Sequence, residues 1–219
     1  MRTSSFTIFL AIIILLSAIV GLFTYFYWRP QSALVPESTR ESSESPALPS
    51  KPSLRATDPI LGNASAPLTI VEFGDFFCEA CAQVEAALNS VLKQYQGQVK
   101  LVWKDLPNTQ RHPLARRAAQ AARCAQEQDK FWPYHDLLLE RTQGEQITEA
   151  SFSRFVQEVG ANIGIFSQCM SQERTVRLVE QSFNEGILLR VDATPYFFIG
   201  EKRFSGAIDE ATLRSALNL

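Results

Sequence analysis

The feature that most constrains this chain is a change of period with two cysteines sitting on it. Leu68 to Phe73 is a largely apolar, β-branched run with the length and composition of a buried strand. Val84, Leu88, Val91, Leu92 and Tyr95 then recur at spacings of three and four, which is one face of a helix. Between the two patterns lie Cys78 and Cys81. The first turn of a helix has unpaired backbone N–H groups and the positive end of the dipole, so it stabilises an anion. A thiolate at Cys78 is such an anion, which makes Cys78 the attacking sulfur. Cys81, one turn on, is placed to close a disulfide with it, so the pair is a two-electron switch.

The same spacing also fits a static disulfide or half of a zinc site. A structural zinc needs two further ligands. The remaining candidates, Cys124, Cys169, His112 and His135, form neither a second closely spaced cysteine pair nor a histidine pair. The strand-to-helix setting favours redox chemistry. With 219 residues, 46% of them hydrophobic and 15 Phe, the chain holds material for one domain with a core. A net charge of −2 lacks the basic footprint of a nucleic-acid binder.

Residues 1–28 are expected to be a short cytoplasmic tip and a transmembrane signal anchor. No charge interrupts Thr3 to Trp28, and Phe6 to Trp28 spans about 34 Å as a helix. Tyr25, Tyr27 and Trp28 crowd one end, as in an aromatic belt. No pair of small residues suited to cleavage follows the apolar run, so an uncleaved anchor is expected. Arg2 and Arg29 flank it on opposite sides and leave its orientation open. Residues 29–57, with five prolines and seven serines, read as a flexible linker whose ends sit about 30 Å apart.

The globular domain is expected over 58–219. Asp58 to Pro67 reads as turn chemistry. Val99 to Trp103 is a second strand. Pro113 starts an Ala-rich helix reaching Gln128. Phe131 to Arg141, a segment marked by Phe152, Phe155, Val156 and Val159, and Glu173 to Leu189 are further helices. Tyr196 to Ile199 and Lys202 to Ser205 are strands joined by a turn, and Asp209 caps a last helix to Leu217.

In this order, and in the segments D-P-I-L-G, V-E-F-G-D-F-F-C-E-A-C, H-P-L-A, C-A-Q-E-Q-D-K-F-W-P-Y-H-D and A-T-P-Y-F-F-I-G, the chain resembles the DsbA-like thiol–disulfide oxidoreductases of the thioredoxin superfamily. The resemblance implies an α/β thioredoxin fold with a helical insertion over about 112–190. It implies a Cys78–Cys81 redox disulfide in place of any cofactor, with Cys78 attacking and Cys81 resolving. Thr194-Pro195 matches the family's cis-proline loop, which packs against the cysteine pair and presents backbone to substrate. Glu72, an acid within an apolar strand, matches a position implicated in moving the proton of the resolving thiol. Lys104 on the neighbouring strand is expected to pair with it.

Strong oxidants of this family often place histidine between the cysteines. Here Glu79 and Ala80 stand there, and an acid beside Cys78 opposes its thiolate. Relatives also pair cysteines in the insertion, which implies a structural disulfide between Cys124 and Cys169. Such bonds persist outside the cytoplasm, so the domain is expected on the periplasmic or extracellular side of the bacterial inner membrane. The expected partners are exported proteins with thiols or disulfides, and an integral-membrane protein that resets the site. His112 and His135 are assigned no role. The activity is read as disulfide exchange, with oxidase, reductase and isomerase all open. A binding module for a soft metal such as copper, held by Cys78 and Cys81, is the alternative of another class.

Overall fold

The computed structural model of the chain describes residues 5–28 and 49–219. The expected linker over 29–48 lies outside the described residues. The chain forms two units, Met1–Pro46 and Ala47–Leu219.

In the first unit, α1 (Ser5–Tyr27) is one unbroken helix. Its stretch Ile8–Tyr27 is long and apolar enough to cross a membrane, about 30 Å at 1.5 Å per residue. The large apolar side chains along it are exposed. Its polar groups are satisfied within the helix: Ser17 Oγ donates to the Ile14 carbonyl at 2.9 Å, and Thr24 Oγ1 to those of Val20 and Gly21 at 3.0 Å. Hydroxyls bonded back in this way are tolerated in an apolar medium.

The second unit is built on a sheet in the order β1-β3-β2-β4-β5. The strands are β1 (Ile60–Gly62), β2 (Leu68–Gly74), β3 (Val99–Asp105), β4 (Tyr196–Ile199) and β5 (Lys202–Ser205). β2 and β3 are parallel, joined across one face by α2 (Glu79–Gln94); the other pairings are antiparallel. Between β3 and β4 come α3 (Ala115–Gln126), α4 (Phe131–Thr142), α5 (Glu149–Glu158), α6 (Ile163–Met170) and α7 (Glu173–Leu188). After β5 comes α8 (Glu210–Leu217), capped by Asp209, whose side chain accepts from Thr212 N at 2.8 Å. The architecture is a thioredoxin fold with a helical insertion.

Strand alternation divides the core. Ile70, Leu101, Phe197 and Ile199 pack with the inner faces of α2 and α8. Val71, Phe73, Val102 and Phe198 face the other way, toward Leu189 and Val191. The insertion has its own core around Ala118, Ala122, Phe152, Phe155 and Phe166, into which Cys81 and Trp103 also project.

Four local expectations change. Ile60–Gly62, read as a turn, pairs with β3 as an edge strand; three residues are too short for periodicity to register. α6 was not distinguished in the sequence, although Asn162 caps it by accepting from Gly164 N and Ile165 N at 2.8 and 3.1 Å. Helix α3 begins at Ala115, two residues after Pro113. The last part of the expected linker is bound to the domain. Ser53 donates N–H and hydroxyl to Glu185 at 2.6 and 2.5 Å, and Arg55 pairs with Glu185 at 2.8 Å. Arg123 reaches the Thr57 carbonyl at 2.9 Å. These residues lack apolar bulk but satisfy buried charges, a role that composition does not reveal.

Candidate active site

Cys78 is the N-cap of α2, with φ −86° and ψ 115°, and no side chain caps the helix there. The exposed end of the helix is therefore directed at its sulfur. Two features hold this junction. Position 74, the last of β2, admits only glycine, because any Cβ there would meet the Trp103 ring at 2.1 Å. Asp75, buried, then accepts from Phe77 N at 3.0 Å and from Asn108 N at 2.8 Å. It thus ties the turn before Cys78 to the loop after β3. Phe77 stacks on His112 with centroids 5.1 Å apart. In the sequence the only signal for Asp75 and Phe77 is the turn F-G-D-F-F.

Opposite the cysteines lies the Thr194-Pro195 bond, which is cis. Cys78 Sγ sits 3.1 Å from the Thr194 carbonyl oxygen, to which it donates as a thiol. Both cysteines are free, Cys78 half-buried and Cys81 buried. Their environments pull the two thiols apart. The Cys78 pKa is lowered to about 6, first by a hydrogen bond with the Cys81 thiol. Burial works against this shift; a hydrogen bond with the Thr194 side chain and the backbone N–H groups of Cys81 and Ala80 support it. Burial pushes the Cys81 thiol well up, and Cys78 and Glu72 push it further. Near neutral pH Cys78 is thus inclined to the thiolate while Cys81 keeps its proton. That asymmetry is the chemistry of an attacking sulfur beside a resolving one.

Glu72 lies beneath them. It is fully buried, and neither carboxylate oxygen has a hydrogen-bond partner among the described residues. Burial raises its pKa well above the usual carboxylate range, and Glu85 and Cys78 add to the rise. The expected pairing with Lys104 is not formed. Glu72 is in register with Trp103, and Lys104 with Phe73, so the two charged side chains leave the sheet on opposite faces. Lys104, fully buried, instead bonds Asp58 at 2.6 Å, Glu185 at 3.1 Å and the Ser53 carbonyl at 2.7 Å. It is an anchor for the segment entering the domain. Alternation alone, applied to both strands together, would have separated it from Glu72.

Glu79 is exposed and accepts from Gln83 Nε2 at 3.0 Å, one turn along α2. Its carboxylate is engaged on the helix surface, and Cys78 is lowered in pKa with Glu79 in place. Cys124 and Cys169 are joined by a disulfide between α3 and α6, with Cα atoms 5.6 Å apart. His135 is fully buried on α4, within a box of Phe76, Trp103, Phe131 and Trp132. Among the described residues the one group of three closely placed candidate metal ligands is Glu85, His135 and Asp136, and it includes neither Cys78 nor Cys81.

A family described as thioredoxin matches residues 55–218. Among solved structures, a thioredoxin-like oxidoreductase from Silicibacter pomeroyi superposes with a TM-score of 0.67 at 25% identity, over 75% of this chain and 92% of that one. The thiol–disulfide exchange protein α-DsbA2 from Wolbachia pipientis gives a TM-score of 0.67 at 22% identity, over 74% and 87%. Oxidised BdbD from Bacillus subtilis gives 0.66 at 22%, over 74% and 91%. In sequence, a protein named as a sodium/proton antiporter from Salinispora tropica is 34% identical over 160 residues, which is 73% of this chain and 24% of that protein. The chain thus spans about a quarter of the length of the curated relatives it matches.

Proposed function

The chain belongs to the thioredoxin family over residues 55–218 and has the fold of the DsbA-like thiol–disulfide oxidoreductases; from that premise we propose that it is a membrane-tethered enzyme exchanging disulfides with exported proteins through Cys78 and Cys81. Cys78 attacks a substrate disulfide, or is attacked in its own disulfide, and a mixed disulfide forms. Cys81 or the substrate then resolves it. Glu72 takes the proton of Cys81 as that thiol becomes a nucleophile and returns it in the opposite direction. The cis-proline loop at Thr194 and Pro195 lines the site opposite Cys78 and offers its backbone to an extended substrate segment.

The observation that carries this reading is the opposed shift of two thiols one turn apart at the start of α2. A static disulfide or a metal ligand pair gains nothing from that asymmetry, whereas exchange through a mixed disulfide depends on it. The Cys78 pKa of about 6 falls between the values of about 7 for thioredoxin and about 3.5 for a strong oxidant of this fold. A stabilised thiolate favours the reduced form, so the lowered Cys78 pKa makes the site more oxidising than an unperturbed dithiol would be. The apolar stretch Ile8–Tyr27 and the Cys124–Cys169 disulfide support tethering at a membrane with the domain in an oxidising compartment. The test is trapping. Cys81→Ser keeps the attacking thiol and removes the resolver, so cells expressing it should accumulate mixed disulfides with exported proteins on non-reducing gels. Monomer alone would overturn the substrate class.

A further inference from the structure

Four of the six buried side-chain nitrogen and oxygen atoms that lack a hydrogen-bond partner among the described residues belong to Glu72, Glu85 and His135. The other two are arginine Nε atoms. A buried polar atom left unpaired costs about 1–3 kcal/mol, so their concentration in one region needs a reason. The three side chains also form a sequence in space. Glu72 points from β2 toward α2. Cys81 and Glu85 are one turn apart on α2, and Cys81 is buried at the same face of the sheet. One carboxylate oxygen each of Glu85 and Asp136 and one ring nitrogen of His135 lie within 4.8 Å of one another. The carboxyl of Glu72 feels that of Glu85, and Glu85 in turn feels His135 and Asp136. Asp136, with a side chain 62% exposed, ends the series in solvent.

We propose that His135 and Asp136 are the outlet through which the proton of the resolving thiol passes between buried Glu72 and solvent, with Glu85 as the bridge. This rests on the assignment of Cys81 as the resolving thiol. During resolution Cys81 gives its proton to Glu72 and its sulfur attacks Cys78 Sγ. The bond between Cys78 and the substrate sulfur breaks as the Cys78–Cys81 bond forms. The cysteine pair is oxidised, and the substrate leaves as a thiolate that is protonated by water. Glu72 must then be emptied, and it has no contact with solvent.

His135 is built to help. Its Nδ1 lies 2.9 Å from Asp136 Oδ1, so beside an ionised Asp136 that nitrogen carries the hydrogen and Nε2 carries the lone pair. Nε2 is buried and unpartnered. It accepts the proton arriving through Glu85, Nδ1 passes its own to Asp136, and Asp136 releases it to water. The opposite half-cycle runs the proton inward and restores the tautomer. The four rings around His135, at centroid distances of 4.6 to 5.8 Å, hold the imidazole in place. Beyond them, Arg123 over Phe131 and Asp105 beside Trp103 pair with each other at 2.6 Å. Glu85 and Asp136 are therefore the acids that exchange charge with His135. His135 touches neither sulfur; it acts through Glu72.

The test uses the full chain in detergent micelles. A disulfide-containing peptide is mixed with the reduced protein, and attack by Cys78 and resolution by Cys81 are followed separately by rapid-mixing fluorescence from about pH 5 to about pH 8. His135→Phe keeps the aromatic packing and removes the nitrogens. It should slow resolution about tenfold near neutral pH and leave the attack step and the equilibrium potential unchanged. Asp136→Asn, at an exposed position, should slow resolution about threefold and carries the same test if His135→Phe does not fold. Normal resolution in either folded variant, with Glu72→Gln still slow, would mean that the proton leaves by another route. Normal resolution in Cys81→Ser would instead overturn the thiol assignment and the outlet with it.

Discussion

Cys78 Sγ lies 3.1 Å from the carbonyl oxygen of Thr194, a residue 116 positions away in sequence. The Cys78 sulfur is thus bracketed by the start of α2 on one side and by the proline loop on the other. Substrate backbone docked on that loop would be brought to the thiolate.

The first expectation concerns this sulfur. The reduced protein should show one thiol titrating near 6 by thiolate ultraviolet absorbance, and Cys78→Ser should abolish both that titration and exchange. The shift is also a stability statement. The folded pKa lies below the unfolded value, so the contribution is full above pH 9, declines as pH falls and is lost below about 6. Discounted for the solvent that reaches a half-buried group, it is about 1 kcal/mol at pH 7, or roughly 20 mV in the potential. The thermal stability of the reduced form should therefore fall, relative to that of the oxidised form, as pH is lowered from 7 toward 5.

Glu72→Gln should separate stability from turnover. The folded-state pKa of Glu72 is raised by burial. Folding is therefore most favoured below the unfolded carboxylate value and is weakened as pH rises through the folded one. Replacing the acid by a neutral isostere removes that penalty. Denaturant unfolding at neutral pH should show a gain on the order of 1 kcal/mol, while the resolving step slows. Loss of stability in the variant would mean that the carboxyl is satisfied by a partner.

At Glu79 the exposed side chain and its contact with Gln83 limit its influence on the sulfur. A redox titration against glutathione should give Glu79→Gln a potential within about 10 mV of wild type, as expected for a screened surface charge. Glu79→His should be more positive than Glu79→Gln, because histidine can add a positive charge near the thiolate. A more negative potential in Glu79→His would assign the energy of the thiolate to the helix terminus and the proline loop alone.

Lys104→Met tests the reassignment of Lys104. Removing a fully buried ammonium leaves Asp58 and Glu185 without their shared partner, which should destabilise the domain by about 3–5 kcal/mol. The titration of the Cys78 thiol should be unchanged, because Lys104 lies on the far face of the sheet. A displaced thiol titration in a folded Lys104→Met would restore it as a tuning residue.

Much of this protein is legible along the chain. The cysteines at the change from strand to helix pattern, the acid in an apolar strand and the A-T-P-Y-F-F segment each declare themselves within about ten residues. Helix capping, strand burial and the exposure of a helix end to a sulfur are local effects, so local sequence determines them. Pairings between distant side chains are not local. Glu72 and Lys104 look like partners until strand alternation sends them to opposite faces. Lys104 finds Asp58 and Glu185 because α7 and the entering segment meet over one side of the sheet. Glu85 and His135, lying 50 residues apart, meet beneath Cys81 because α4 of the insertion packs against α2. Those choices depend on which faces are buried together. Burial decides whether a charge must be paired, neutralised or used, and only the tertiary structure determines it.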